Sequence, residues 1–176
     1  MRIGFTGTMS VGKTTLVNAL KELPEFKDYK FKTERSKYLR DLGIPLNTDS
    51  TIKGQIVFMA ERASELFHPN IITDRTIIDV IAFTKLSPTI KDSSKIKFTK
   101  LASQLIEEYD YIFYISPDGV ELEDNGVRTT DSGYRDKIDE EIQDVIYNHE
   151  DLIKNLIELN GSVEERIKKV KQFLSL

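Results

Sequence analysis

The chain contains no cysteine, so disulfides, thiolate metal sites and a cysteine nucleophile are excluded outright. It has two histidines, His68 and His149, too few for a histidine-rich metal centre. His68 stands before Pro69, where it reads as a helix terminator, and His149 lies in a polar stretch far from any motif. Long hydrophobic runs are also missing. None approaches the roughly 20 apolar residues that cross a bilayer, and Met1-Arg2 leads directly into Ile3-Gly4-Phe5 with no secretory core or cleavage site. The expectation is a soluble cytoplasmic protein with no membrane partner. A positive field is absent as well: 25 Lys and Arg against 29 Asp and Glu leave a formal charge of -4. That balance disfavours long nucleic acid as a partner while leaving room for a local basic cleft.

What is present suits a single compact domain over 1–176. With 39% hydrophobic and 31% charged residues, the chain has enough apolar material for a core, and folding should bury about 70% of the surface the unfolded chain exposes. Hydrophobic periodicity alternates between strand-like and helix-like runs, which predicts an α/β fold with a parallel sheet covered by helices. Five strands are expected, at Arg2 to Thr6, Tyr29 to Thr33, Asn70 to Thr73, Tyr111 to Ile115 and Leu156 to Leu159. A first helix carries Leu16, Leu20 and Leu23 and stops at Pro24. A second follows the N-cap candidates Asn47 to Ser50, with Ile52, Ile56, Met59, Ala63 and Leu66 as its apolar stripe. Further helices are predicted over Ile77 to Thr84 and Ile96 to Tyr109, and another carries Tyr134, Ile138, Ile142 and Val145. The last opens with Ser162-Val-Glu-Glu165 as a capping box and bears Ile167, Val170 and Phe173.

The most specific signal is Gly7-Thr8-Met9-Ser10-Val11-Gly12-Lys13-Thr14. It satisfies G-x-x-x-x-G-K-[ST] directly after an apolar strand and before an amphipathic helix, the context that gives the pattern its meaning. A chance match in a chain this long arises on the order of 1% of the time. Such a loop curls so that backbone N–H groups and the helix N-terminus all point at a phosphate. Lys13 then reaches the β- and γ-phosphates, the Thr14 hydroxyl coordinates Mg²⁺, and Thr15 helps position the loop.

Two strand ends carry acid-arginine pairs: Glu34-Arg35 after the second strand, and Asp74-Arg75-Thr76, followed by Asp79, after the third. Ligands in an open α/β sheet lie beyond the carboxyl ends of the strands, so both pairs are expected to face the loop's crevice. An acid there can orient or deprotonate an attacking hydroxyl or hold Mg²⁺ through water, and an arginine can neutralise phosphate. The bland alternative is a pair of capped helix starts with surface ion pairs. A third feature, the segment 117–137, contains Asp124-Asn-Gly-Val-Arg128 and then Arg135 in the next helix. It reads as a lid able to close positive charge over a triphosphate, or else as a solvent loop whose arginines offset Glu121, Glu123 and Asp124. Gln55 is a candidate contact to an acceptor base, with a solvated helix position as its alternative.

The GTMSVGKTT loop, TERSKYLRDLG after the second strand, TDRTIID after the third and EDNGVRTTD before the penultimate helix resemble, over nearly the whole chain, the P-loop nucleoside and nucleotide kinases. Within them they are most similar to the subgroup of the nicotinamide riboside kinase domain and phage kinase-like proteins. The resemblance implies a three-layer sandwich with five parallel strands in the order 2-3-1-4-5, ATP as phosphoryl donor and Mg²⁺. It implies the role of base for Glu34, Mg²⁺ and acceptor contacts for Asp74, Arg75 and Thr76, and lid arginines at Arg128 and Arg135. The turn Asn160, Gly161 and Ser162 would flank adenine. Asp-Arg-Thr stands where such nucleoside kinases have Glu-Arg-Ser, and Asp-Arg also occurs where the acceptor is a monophosphate, so the acceptor's phosphate count stays open. Ser10 occupies a position that is glycine in many monophosphate kinases.

Other readings are weighed against this one. A guanine-specific switch requires an Asn-Lys-x-Asp segment, which the chain does not contain. A polynucleotide 5′-hydroxyl or DNA-base kinase would need a strand-binding groove, for which Lys85, Lys91, Lys95, Lys97 and Lys100 are the candidates. A nucleotide-sensing module would bind ATP and phosphorylate nothing.

Overall fold

The computed structural model describes residues 1–33, 36–118 and 132–176. Its strands are β1 (Arg2–Thr6), β2 (Lys30–Lys32), β3 (Ile71–Asp74), β4 (Tyr111–Ile115) and β5 (Leu156–Leu159). They form one parallel sheet in the order β2-β3-β1-β4-β5, the expected order. Phe5 of β1 lies level with Asp74 of β3 and Phe113 of β4, and Ile115 of β4 with Leu159 of β5. Because every strand runs the same way, the loops that follow β1, β3, β4 and β5 all emerge along one edge.

Seven helices are described: α1 (Lys13–Lys21), α2 (Ser36–Asp41), α3 (Ile52–Glu65), α4 (Ile77–Leu86), α5 (Asp92–Ala102), α6 (Ser132–Asn148) and α7 (Val163–Leu174). They cover both faces of the sheet. On one face, Leu16, Val17 and Leu20 of α1 and Val170 and Leu174 of α7 meet Ile3, Phe5, Ile72 and Phe113. On the other, α4 is apolar almost all round and lies at the centre, packed between α3, α5 and α6. A helix buried on every side is expected to lose the usual polar face. β1 passes close beneath this layer: a Cβ on Gly4 would collide with the Thr76 methyl and lie 2.8 Å from the Tyr109 ring.

Three expectations are corrected. The helix predicted from Ile96 to Tyr109 begins earlier, at Asp92, and its second half tightens into a 3-10 segment, Ser103–Glu108. The stripe predicted for α3 is rotated, since Ile56 is 48% exposed while Gln55, Arg62 and Glu65 are buried. Arg62 Nη2 donates to Glu65 Oε1 at 2.9 Å, so a paired charge occupies the inward face that periodicity assigned to apolar residues. On α7 the inward residues are Arg166, Val170 and Leu174, and Phe173 is largely exposed. The predicted capping box at its start is present: Ser162 Oγ accepts from Glu165 N and the Glu165 carboxylate accepts from Ser162 N.

Candidate active site

β1 ends at Thr6 and α1 begins at Lys13, leaving the loop Gly7 to Gly12 to reverse over the strand end. Three of its residues have positive φ: Gly7 at 147°, Ser10 at 59° and Gly12 at 85°. Glycine serves at Gly7 for a second reason, because a Cβ there would stand 2.6 Å from the Ile115 carbonyl oxygen of β4. Ser10 adopts the left-handed region without being a glycine, a conformation that costs roughly 1–2 kcal/mol. At the start of α1 the backbone amides of Thr14 and Thr15 donate to no carbonyl among the described residues, and the first intrahelical bond runs from Leu16 N to Gly12 O at 3.0 Å. Unpaired amides at a helix N-terminus, with the positive end of the helix dipole, form an anion cradle.

Lys13 is buried and folds back over this cradle, its Nζ donating to Gly7 O and Thr8 O, each at 2.6 Å. Thr14 points the other way. Its hydroxyl donates to Asp74 Oδ2 at 2.5 Å, bringing the end of β3 onto the loop as the β1–β3 register requires. Asp74 is 1% exposed and its Oδ1 has no hydrogen-bond partner among the described residues. A buried carboxylate oxygen without a donor is costly, and this one sits beside a hydroxyl that also has lone pairs. The pair therefore fits a hard cation with oxygen ligands and retained waters, as Mg²⁺ takes them.

Arg75 follows at φ 102°, outside the usual range for a side-chain-bearing residue, and its amide extends the ladder to Phe5 O at 3.0 Å. The guanidinium lies over the Phe83 ring, 5.2 Å from its centroid, and Nη1 stands 3.4 Å from Asp79 Oδ1. Asp79 also closes a capping box: Oδ2 accepts from Thr76 N at 2.8 Å, and Thr76 Oγ1 accepts from Ile78 N. The capped helix start that competed with a substrate role for this segment is therefore real, and the same carboxylate holds Arg75.

α6 closes the other side. Thr8 Oγ1 donates to the Arg135 carbonyl at 2.9 Å, and Arg135 itself is buried. One turn on, the Tyr114 hydroxyl donates to the carboxylate of buried Asp139, lying 3.0 and 2.9 Å from its two oxygens, and Gln143 donates to the same group. Burial raises the Asp139 pKa, opposed by those donated bonds and raised further by Asp118. Tyr134, tilted against Phe83, has its phenol pushed up to about 12, chiefly by burial.

Beyond β5, Asn160, Gly161 and Ser162 form an exposed turn with Gly161 at φ 81°. From the first turn of α7, Arg166 Nη1 reaches back to donate to Val11 O at 2.7 Å, so this turn and the phosphate loop are neighbours. Gln55 lies one turn into α3 at 4% exposure, which overturns the solvated alternative for it. Its side-chain amide makes no hydrogen bond among the described residues, while its backbone N–H donates to Thr51 O at 2.9 Å. Glu34, Arg35 and Arg128 lie outside the described residues, as does most of the expected lid. Sequence reasoning missed Thr8, Tyr114, Asp139 and Arg166. Only the last left a signal: Arg166, Val170 and Leu174 recur every four residues, a charge in an otherwise apolar row.

A family model described as an AAA domain matches residues 2–166. The chain belongs to this family. Its fold is also that of several solved proteins, a deoxyadenosine kinase among them. Deoxyadenosine kinase from M. mycoides with bound dCTP superposes with a TM-score of 0.69 at 18% identity, covering 99% of both chains. The NadR protein in complex with NR gives 0.77 at 18%, covering 99% of this chain and 51% of that one. YorR from Bacillus subtilis, in complex with phosphorylated GDP, gives 0.64 at 17%, covering 99% and 95%. At these identities the likeness is one of fold. No curated protein matches the chain by sequence. Among the described residues of this AAA-domain chain, no helix is long and apolar enough to cross a membrane.

Proposed function

We propose that the chain is a cytoplasmic, ATP- and Mg²⁺-dependent kinase that transfers the γ-phosphoryl group to a small nucleoside or nucleoside monophosphate. The observation that carries this reading is the junction of the phosphate loop with β3. Thr14 and Asp74 touch, Lys13 stands beside them, and one buried Asp74 oxygen is left to bind something else. The solved relatives by fold support the acceptor class, since their bound molecules are nucleotides or NR.

In this reading the amides of Gly12 to Thr15 and the Lys13 ammonium bind the donor's phosphates. Lys13 exchanges the carbonyls of Gly7 and Thr8 for the β- and γ-oxygens as the triphosphate enters. Thr14 and Asp74 hold Mg²⁺. Bound there, the cation would offset the negative charge of the donor's phosphates. Asn160 to Ser162 flank the adenine. On the acceptor side Glu34 takes the proton from the attacking hydroxyl, with Arg35 and Gln55 as further contacts. Arg75, kept in place by Asp79 and Phe83, orients the acceptor, and Arg128 and Arg135 in the lid-like segment 117–137 neutralise charge that develops in transfer. Phosphoryl transfer asks for positioning and electrostatics above all, and buried, hydrogen-bonded side chains supply both.

The test is incubation with labelled ATP and a panel of deoxynucleosides, ribonucleosides, their monophosphates, nicotinamide riboside and 5′-hydroxyl oligonucleotides. Product is expected with a nucleoside or a monophosphate, and Lys13→Ala should abolish it. ATP binding without product on any acceptor would mark a sensor, product on the oligonucleotide alone would mark a polynucleotide kinase, and wild-type turnover by Lys13→Ala would overturn the site.

A further inference from the structure

Arg166 is a charged side chain at 5% exposure, carried by the last helix and 155 positions from the residue it contacts. No carboxylate lies within ion-pair distance of it among the described residues. Its one hydrogen bond there is from Nη1 to the Val11 carbonyl, and its buried Nε has no partner. Burial lowers its pKa with no anion nearby to oppose the shift. A guanidinium stays protonated in a protein, and buried charges are as a rule paired. This one is short of a counter-charge, and it adjoins the loop whose shape invites an anion.

The contact also has a directional consequence. Val11 C=O and Gly12 N–H belong to one planar trans peptide, so they point in opposite directions. Holding the carbonyl toward α7 turns the Gly12 N–H away from α7. That N–H donates to nothing among the described residues. Gly12 is confined on the same side, because a Cβ added to it would lie 3.2 Å from Arg166 Nη1.

We propose that Arg166 is a positioning residue of the donor site: it orients the Val11–Gly12 peptide so that the Gly12 N–H faces the donor's phosphates, whose charge in turn balances the buried guanidinium. This rests on the reading of the loop as a nucleotide site. It assigns to α7, outside the loop motif, part of the affinity for the donor's phosphates.

Calorimetric titration of wild type, Arg166→Met, Arg166→Lys and Lys168→Met with ATP and with ADP tests it, alongside thermal melts of each. Lys168 is an exposed cation of the same helix, and its removal should leave both affinities unchanged. Arg166→Met should weaken both by on the order of tenfold or more, the worth of a hydrogen bond to a charged group, and Arg166→Lys should recover part of the loss. In ¹⁵N-labelled wild type, saturation with ADP should shift both the Gly12 amide and the Arg166 Nε–H resonances. A folded Arg166→Met with wild-type affinities overturns the proposal. So do wild-type Gly12 and Arg166 resonances that stay in place at saturation, a result that needs no variant to fold. If wild type itself gives no heat with ATP, the nucleotide reading fails and takes this role with it. Heat with wild type and an unaffected Arg166→Met removes the role of Arg166 alone.

Discussion

Asp139 shows how much a single residue's surroundings decide. Its position on α6, four residues beyond Arg135, looks like any solvated helical aspartate, yet the side chain is buried and satisfied by Tyr114 and Gln143. Burial raises its pKa above the ordinary 3.8, so the folded state holds this proton more tightly than the unfolded chain does. Its contribution is therefore most favourable below the ordinary carboxylate value. It declines as pH rises toward the raised folded value, and is constant above that. Asp139→Asn, which keeps an acceptor for the tyrosine, should remove that decline. Urea denaturation from acidic to neutral pH should show the difference in stability between variant and wild type moving in the variant's favour as pH rises. A difference that does not change with pH would contradict the assignment.

At the scale of elements, α3 and α4 divide the burial between them unequally. α4 takes the apolar centre, with Ile77, Ile78, Val80, Ile81 and Ala82 all buried. α3, packed on its flank, turns the Arg62–Glu65 pair inward at side-chain exposures of 4% and 6%. A buried pair of this kind contributes little against well-packed apolar residues of similar size, but breaking it by removing one partner costs roughly 3–5 kcal/mol. Glu65→Leu and Arg62→Met are each expected to destabilise by about that much, and the double variant by clearly less than the sum. A double-mutant cycle in denaturant measures the coupling, and additive losses would show that the two side chains stand independently. The capping box of α7 acts at this scale too, because it sets where the helix starts and hence that Arg166 falls one turn in, level with Val11.

For the molecule as a whole, one sheet carries the phosphate loop, Asp74, the β4 end and the β5 turn on a single edge, with helices from both faces reaching that edge. A chain organised around this one sheet is expected to unfold as a single domain, in one cooperative transition. A ligand that binds only the folded form raises its stability by about 2.7 kcal/mol at a hundred times its Kd. For a chain of this length that corresponds to a rise in Tm of roughly 5–10 °C. A thermal scan with ATP should show this shift in wild type and lose it in Lys13→Ala. Two separate transitions would count against the single domain, and an unmoved Tm at saturating ATP against the donor site.

The residues themselves determined the strands, the capping box at Ser162 and the phosphate loop, because each depends on near neighbours. Short apolar runs, an N-cap followed three residues later by a glutamate, and glycines spaced around a lysine all act within one turn or one strand. The same locality made Asp74 and Arg75 visible as a pair at a strand end. Tertiary structure decided what depends on contacts between distant segments. It rotated α3 so that Arg62 and Glu65 face inward, and brought Thr14 onto Asp74 across 60 positions. It also set Arg166 beneath Val11 across 155. Side-chain burial is a property of the space between elements, and periodicity along one element reports only that a face is buried. Which charged residues that face can carry is settled by the partners waiting on the other side.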